Sequence, residues 1–223
     1  MATSTDKALS VETIRQSLGQ FGIQVDEQQV VCIQQYIRIL LQWNEKLNLT
    51  AIRDPLEILV RHFCESMFGA EALSIKDGRL ADIGSGAGFP GLPMKILRPN
   101  IDLFLVESNI KKGTFLAEVV RELGLKNARV LISRYEELGE ELAPLDMVCS
   151  RAVGEFGAFL EWAASDKVSA GKVILWIGGR DLEEVKKSGL WDWQEPIAVP
   201  QSLRRYLLVG VKKAREVVAT TTK

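Results

Sequence analysis

The stretch RLADIGSGAGFPGLPMKIL, residues 79–97, decides the fold of this chain. A short apolar run ends in a loop that holds most of the stretch's four glycines and two prolines, and an amphipathic segment follows. Glycines after a first buried strand let the backbone approach a ligand at the start of a helix, where backbone N–H groups lack partners. Four glycines exceed what a tight turn needs, so the stretch predicts a ligand site.

Short apolar runs alternate with amphipathic segments from this stretch onward. We predict strands at 79–84, 101–107, 128–134, 145–151 and 172–178, and helices at 90–97, 111–123 and 156–168. This alternation is typical of a parallel sheet with helices on both faces. The apolar run 204–213 follows without a crossover helix, so it predicts an antiparallel strand at or near an edge.

The first 75 residues have the apolar spacing of helices. Ser10 is placed to cap a first helix, and Asp26 with Gln29 forms the pattern of a capping box before a second one. We therefore expect a helical N-terminal extension over 1–75 and a separate sheet domain that binds the ligand over 76–223.

The charge of the chain is nearly balanced, with a formal net charge of -1 and a pI of about 6.0. This balance excludes a globally basic nucleic-acid binder, so any polyanion must meet a local patch. Residues 91–134 carry eight Lys/Arg against four Asp/Glu, and residues 203–215 carry five basic residues and no acid. These two segments are the candidate patches.

Metal and membrane functions are not indicated. The three cysteines lie far apart without a CxxC pair, and the chain has one histidine, so we expect no metal site and three buried thiols in a reducing compartment. No apolar run reaches the ~18 residues of a membrane span, and the first residues do not resemble a leader. We expect a cytoplasmic protein that does not enter a membrane.

The glycine stretch can be read in two registers. GAGFPG, residues 86–91, matches the dinucleotide pattern GxGxxG, and Glu107 follows about 20 residues later. DIGSGAG, residues 82–88, instead has an acid two residues before three alternating glycines. The dinucleotide register leaves Asp82 and Gly84 without a role, which favours the second.

The second register predicts a ligand with a positive charge near Asp82, a ribose near Glu107 and no pyrophosphate. S-adenosylmethionine has this layout. Asp82 would face its amino-acid end, directly or through water, and Glu107 would accept hydrogen bonds from both ribose hydroxyls. Hydride transfer also needs a proton relay, and none of the three tyrosines has a lysine four residues later. We therefore favour a methyltransferase over a dehydrogenase.

Five longer motifs carry a family resemblance: WNEKLNLTAIRDPLEILVRHFCES (43–66), DIGSGAGFPGLP (82–93), ESNIKKGTFL (107–116), SRYEEL (133–138) and DMVCSRAV (146–153). With them the chain resembles the bacterial 16S ribosomal RNA guanine-N7 methyltransferases, the family called RsmG or glucose-inhibited division protein B (GidB). The resemblance implies a class I, Rossmann-like methyltransferase with a mostly parallel seven-stranded sheet and a helical N-terminal extension. It also implies S-adenosylmethionine as donor, S-adenosylhomocysteine as product, and small-subunit RNA, the 30S subunit or its precursor as partner.

The resemblance also implies cofactor contacts, by matched position, at Gly84, Phe89, Tyr135, Glu136 and Arg151. The glycine register adds Asp82, Gly86, Gly88 and Glu107 to this set, and the rings of Tyr135 and Phe89 are candidates to sandwich the adenine. One position departs from the family. Ile177 stands where relatives tend to have a lysine, so Lys172 or Arg180 would have to replace it if that lysine holds RNA.

The expected reaction makes few demands on acid–base groups. Guanine N7 has a free lone pair, so its methylation needs orientation and exclusion of water rather than removal of a proton. No NPPY or DPPY tetrapeptide of the amine methyltransferases follows the fourth predicted strand, and Cys149 lies inside an apolar run. His62 and Arg151 are therefore predicted to act by positioning, with Arg151 contacting the cofactor carboxylate or the guanine.

RNA contacts are expected at the edge where the parallel strands end. The candidates are Asn48, Thr50, Arg53, Arg61, Lys111, Lys112 and Arg205. Two other functions stay open: a methyltransferase for another acceptor, and a non-catalytic RNA-binding or assembly module with a degenerate cofactor pocket. We expect the protein to act as a monomer.

Overall fold

The computed structural model describes residues 9–151 and 154–214. Parts of the predicted features lie outside the described residues. They are the outer ends of both predicted domains, residues 152 and 153 of the motif at the fourth strand, and Arg215 of the basic segment. Within the two described ranges, no helix is long and apolar enough to cross a membrane.

Helices form the N-terminal part of the described chain: α1 (Val11–Gly19), α2 (Glu27–Leu47), α3 (Pro55–Ile58) and α4 (Glu65–Ala72). Residues Leu59–Cys64 form a π-helical turn that joins α3 directly to α4. Both predicted caps are confirmed. Ser10 Oγ accepts a hydrogen bond from the N–H of Thr13 at 3.0 Å, and Asp26 and Gln29 form a reciprocal capping box.

The sheet contains β1 (Asp77–Ile83), β2 (Asn100–Val106), β3 (Ala128–Leu131), β4 (Met147–Ser150), β5 (Lys172–Gly178), β6 (Trp191–Trp193), β7 (Ile197–Ala198) and β8 (Arg205–Lys212). Seven strands lie in the order β3-β2-β1-β4-β5-β8-β6, and β7 pairs with β8. Strands β1 to β5 are parallel, and β8 is antiparallel to its neighbours. The predicted Rossmann-like, mostly parallel sheet is confirmed, but the described residues form eight strands rather than the expected seven. Strands β6 and β7 were not predicted because they are too short to show a pattern.

Helices cover both faces of the sheet: α5 (Gly91–Leu97), α6 (Ile110–Glu122), α7 (Phe156–Ala164) and α8 (Leu182–Lys186). One core joins α1 to α6 and the π turn to one face, and the other joins α7 and α8 to the opposite face. All three cysteines are buried and free, as predicted.

The N-terminal helices share their core with the sheet. Trp43 Nε1 on α2 donates to Glu118 Oε1 on α6 at 3.0 Å, and Phe63 of the π turn is buried with Leu92 of α5. The division into a helical extension and a sheet domain stays a prediction. These contacts pack the helices onto one face of the sheet, through α5 and α6.

Candidate functional site

The glycine loop joins β1 to α5 with three left-handed residues. Gly84, Gly86 and Gly88 have φ of +67°, +56° and +86°, a region that L side chains rarely adopt. Among the described residues, a Cβ at Gly84 would meet nothing within 4 Å, and one at Gly86 would meet only Gly84 O at 3.8 Å. A Cβ at Gly88 would instead clash with Tyr36 and Leu92. Open space therefore lies beside the first two glycines, whereas packing alone explains the third.

Asp82, at the end of β1, is fully buried, and Oδ2 accepts a hydrogen bond from the N–H of Gly91 at 3.0 Å. Within the described part of the chain, Oδ1 is buried without a hydrogen-bond partner of ordinary geometry, although the Cys149 thiol lies beside the carboxyl group. Burial raises the pKa of Asp82 to about 7 against the opposing effect of the Gly91 N–H, and the nearby charge of Glu107 raises it further. A cationic group at Oδ1 would relieve this cost of burial.

Glu107, directly after β2, ties the glycine loop to the start of α6. Its Oε2 accepts from the N–H of Gly86 and its Oε1 from the N–H of Asn109, both at 2.9 Å. Beside it opens a cleft of about 290 Å³, close to the lower size of small-molecule pockets. The cleft is lined by Ile83, Gly84, Val106, Ser108, Ser133, Arg134, Tyr135 and Glu136. The structure thus brings Gly84, Tyr135 and Glu136 together at one cleft.

The rings of Phe89 and Tyr135 lie in different cores. Phe89 is 8% exposed and stacks on His62, with ring centroids 4.6 Å apart, and on Tyr36 at 5.5 Å. Tyr135 packs against Trp162 at 5.1 Å, on the opposite face of the sheet. The expected adenine sandwich between Phe89 and Tyr135 is therefore not formed, because the sheet separates the two rings.

His62 lies in the π turn, a helix distortion that often marks functional sites. Its Nε2 is 2.9 Å from Thr50 Oγ1, and the Asn44 amide holds both the N–H and the C=O of Thr50, each at 2.9 Å. Burial, together with the positive charges of Arg151 and Arg205, lowers the pKa of His62 to about 3. The imidazole is therefore neutral and fixed, as a positioning group requires.

Asn44 was not predicted as a site residue, although a polar residue in the apolar stripe of α2 was a signal for it. Asn48, which was predicted, ends α2 in a left-handed conformation with φ +47° and is exposed.

Three predicted arginines meet at one buried carboxylate. Glu65 is 2% exposed; Arg61 Nε lies 3.6 Å from its Oε1 and Arg151 Nη2 lies 3.1 Å from its Oε2. Arg205 Nη1 also contacts Oε2. Burial lowers the pKa of Arg151 to about 10, so its guanidinium stays charged at neutral pH. Sequence reasoning missed Glu65, whose signal was its position four residues after Arg61 on a buried helix.

A second cavity of about 310 Å³ opens at the ends of β4 and β5. It is lined by Ser150, Arg151, Gly154, Phe156, Leu175, Trp176, Ile177, Gly178 and Asp181. Lys172 begins β5, about 16 Å from Ile177 at ~3.3 Å per residue, so it cannot replace the missing family lysine here. Of the two candidates, Arg180 is the one that lies at this edge, where it is exposed just after β5.

The other basic candidates lie near the same edge. Lys111 is exposed and Lys112 half-buried in the first turn of α6, where Asn109 Oδ1 accepts from both N–H groups. Arg53 is exposed in the segment between α2 and α3, where the Thr50 hydroxyl accepts the N–H of Ile52.

The fold is similar to that of solved methyltransferases. A SAM-dependent methyltransferase from Aquifex aeolicus aligns with a TM-score of 0.57 at 15% identity, over 74% of this chain and 97% of that one. A ribosomal protein L11 methylase from Lactobacillus delbrueckii subsp. bulgaricus gives 0.53 at 14% identity, over 70% and 80% of the two chains. At these identities the likeness concerns the fold alone.

Sequence relatives cover most of the chain. A protein named Ribosomal RNA small subunit methyltransferase G from Pelotomaculum thermopropionicum is 38% identical over 78% of this chain and 82% of its own length. Its namesake from Xylella fastidiosa is 36% identical over 93% of this chain and 99% of its own. The GidB family, described as rRNA small subunit methyltransferase G, matches residues 29–193. With the glycine loop, His62 and Arg151 all inside that range, the chain belongs to the GidB family of rRNA small subunit methyltransferases.

Proposed function

We propose that this protein transfers a methyl group from S-adenosylmethionine to N7 of a guanine in small-subunit (16S) ribosomal RNA, releasing S-adenosylhomocysteine. One observation carries the proposal: relatives named for small-subunit rRNA methylation match over nearly the whole chain, at up to 99% of their own length. The match extends to the loop, the histidine and the arginine described above.

The residues at the glycine loop fit this cofactor. Asp82 Oδ1 is a buried acceptor beside the Cys149 thiol that makes no hydrogen bond of ordinary geometry to the described residues, and open space lies beside Gly84 and Gly86. We assign Asp82 to the amino-acid end, Glu107 to the ribose hydroxyls, and Tyr135 and Glu136 to the adenine side. Gly88 and Phe89 shape the loop through packing, which favours a backbone contact at Phe89 over a ring contact. When bound, S-adenosylmethionine supplies a methyl group on a cationic sulfur.

The protein's own contribution to this reaction is orientation. Guanine N7 already carries a lone pair, so no residue has to remove a proton before transfer. A neutral His62, held by Thr50, can position the base, and Arg151 at the end of β4 can hold the guanine nucleotide beside the cofactor. We propose no role for a metal ion.

We further propose that the N-terminal helices contribute to the RNA-binding side, together with Asn48, Thr50, Arg53, Arg61, Lys111, Lys112 and Arg205. The protein would act as a cytoplasmic monomer on the rRNA, the 30S subunit or its precursor, because its expected substrate is found there. The finding that favours an enzyme over a degenerate module is the open, carboxylate-lined glycine loop.

The function is tested by incubating the protein with methyl-labelled S-adenosylmethionine and separated cellular RNAs. We expect label in small-subunit rRNA, recovered as 7-methylguanine after hydrolysis. Label in other molecules would indicate a different acceptor. Cofactor binding without any transfer would indicate a non-catalytic module.

The pH dependence of the chemical step tests the N7 assignment. Under single-turnover conditions with cofactor and RNA saturating, the rate should change little between about pH 6.5 and 9, because no general base is required. The variant His62→Ala should lower the rate, by roughly tenfold, without changing the shape of the profile. A log-linear rise with slope near one would mean that a proton leaves first, and an amine or hydroxyl acceptor would replace N7.

Replacing both Lys111 and Lys112 with alanine should weaken RNA binding through lost phosphate contacts. We expect the RNA KM to rise about tenfold and the salt slope of log K to fall by about two, with cofactor affinity unchanged. The matched control is the adjacent pair Lys186 and Lys187, similarly exposed at the end of α8. Equal effects of the two double variants on RNA KM would contradict a specific role for the α6 pair.

A further inference from the structure

The arginine cluster, defined as Arg61, Arg151 and Arg205 around Glu65, is not neutral. Three guanidinium groups surround one carboxylate, which leaves an excess of two positive charges when His62 is uncharged. The Arg151 side chain is 16% exposed, and those of Arg61 and Arg205 are 35% and 31% exposed, so water screens the excess mainly at Arg61 and Arg205. Buried excess charge is costly unless a counter-charge accompanies it.

Two buried guanidinium nitrogens of the cluster make no hydrogen bond to the described residues. Arg151 Nη2 donates twice, to Glu65 Oε2 and to the backbone oxygen of Arg61 at 2.7 Å, whereas Arg151 Nη1 is buried with no hydrogen-bond partner among residues 9–151 and 154–214. Arg61 Nε, 3.6 Å from the carboxylate, is likewise buried without a hydrogen bond to these residues. Planar guanidinium donors match the oxygens of a phosphate group.

We propose that Arg61, Arg151 and Arg205 form an anion site that takes one phosphate group of the RNA acceptor, and that Glu65 is the positioning residue that gathers them. The inference rests on the proposed function, since it takes RNA as the substrate. The adjoining 310 Å³ cavity, which Arg151 lines, would receive the nucleotide attached to that phosphate.

Two alternative roles of Glu65 predict opposite effects on phosphate binding when its charge is removed. If the carboxylate only opposed the field of the arginines, losing its charge would strengthen phosphate binding. If it gathers them, the three guanidinium groups would repel one another and separate, and phosphate binding would weaken. Asp181 lines the same cavity without an ion pair to these arginines in the described part of the chain, so it provides the matched comparison.

The experiment compares guanosine 5′-monophosphate with guanosine by titration calorimetry on the full chain. In the wild type the monophosphate should bind at least about tenfold more tightly. Glu65→Gln should reduce this ratio to about one or two, whereas Asp181→Asn should raise it severalfold. Each variant removes one negative charge, at Asp181 from the lining of the cavity and at Glu65 from the carboxylate that contacts all three arginines.

Circular dichroism shows whether each variant folds. Should Glu65→Gln unfold, Arg205→Lys takes its place, because it keeps the charge but loses the fork, and the ratio should again fall. A wild-type ratio of one, no measurable binding of the monophosphate, or tighter monophosphate binding in Glu65→Gln would each overturn the inference. In the methylation assay, Glu65→Gln should raise the RNA KM more than it lowers kcat. The conservative variant Glu65→Asp should restore the RNA KM. Absence of rRNA methylation by the wild type would instead overturn the proposed function.

Discussion

The variant Gly86→Val should lose cofactor binding, with affinity for S-adenosylhomocysteine lowered by at least ~100-fold. At φ +56° the residue places its N–H on Glu107, and an added Cβ would point into space bordered only by Gly84 O at 3.8 Å. This is the space that we assign to the ligand. A branched side chain would fill it and would also strain the left-handed backbone that aims the N–H.

Gly124→Val is the control for that strain. Gly124 follows α6 with φ +61°, and a Cβ there would also meet nothing within 4 Å. Both variants should lower Tm by a similar amount, because both force valine into the left-handed region. Calorimetry should show normal S-adenosylhomocysteine affinity for Gly124→Val and none for Gly86→Val. Wild-type affinity in a folded Gly86→Val protein would place the ligand elsewhere.

Cofactor affinity should depend on pH through Asp82. In the empty protein burial raises the pKa of this carboxyl group to about 7, so it is protonated below that pH. Binding the ammonium group of the amino-acid end requires the ionised form of Asp82. The affinity should therefore fall by a slope that approaches tenfold per pH unit well below pH 7, or by roughly 50-fold between pH 7 and 5.

Calorimetry in buffers of different ionisation enthalpy measures this dependence and should detect release of up to one proton on binding near pH 6. Asp82→Asn should show weak affinity that is flat across the same range. A flat profile in the wild type would mean that Asp82 does not titrate with binding.

The ionisation of Asp82 has the opposite effect on the stability of the ligand-free protein: it favours cofactor binding but lowers the free energy of unfolding. Because the folded pKa of Asp82 lies above the unfolded value of 3.8, its contribution to stability is lost as pH rises from about 4 to about 7. Asp82→Asn should therefore raise Tm relative to the wild type more at pH 8 than at pH 5. Gain of stability with loss of binding would identify Asp82 as a group held for the ligand.

Most of the sheet could be predicted because buried parallel strands are continuous apolar runs. The runs at 79–84 and 101–107 became β1 and β2, and the run at 204–213 became the antiparallel β8. The caps at Ser10 and Asp26 were equally visible, since they depend on residues three positions apart. The left-handed backbone of the glycine loop likewise follows from its local sequence, because glycine adopts this conformation readily.

The π turn and the short strands β6 and β7 could not be predicted. A π turn has the same apolar spacing as an α-helix over a few residues, and strands of two or three residues are too short to show a period. Their existence depends on the neighbours against which they pair or pack.

What the sequence by itself determined is the order of strands and helices and the edge at which the ligand loops meet, because both follow from local periodicity and parallel connections. What only the tertiary structure decided is which polar groups share a site. Glu65 meets Arg151 and Arg205 from 86 and 140 residues away, and Phe89 stacks on His62 instead of facing Tyr135. Such partners are chosen by the packing of distant elements and by the cost of burying charge without a counter-charge, neither of which leaves a periodic trace in the chain.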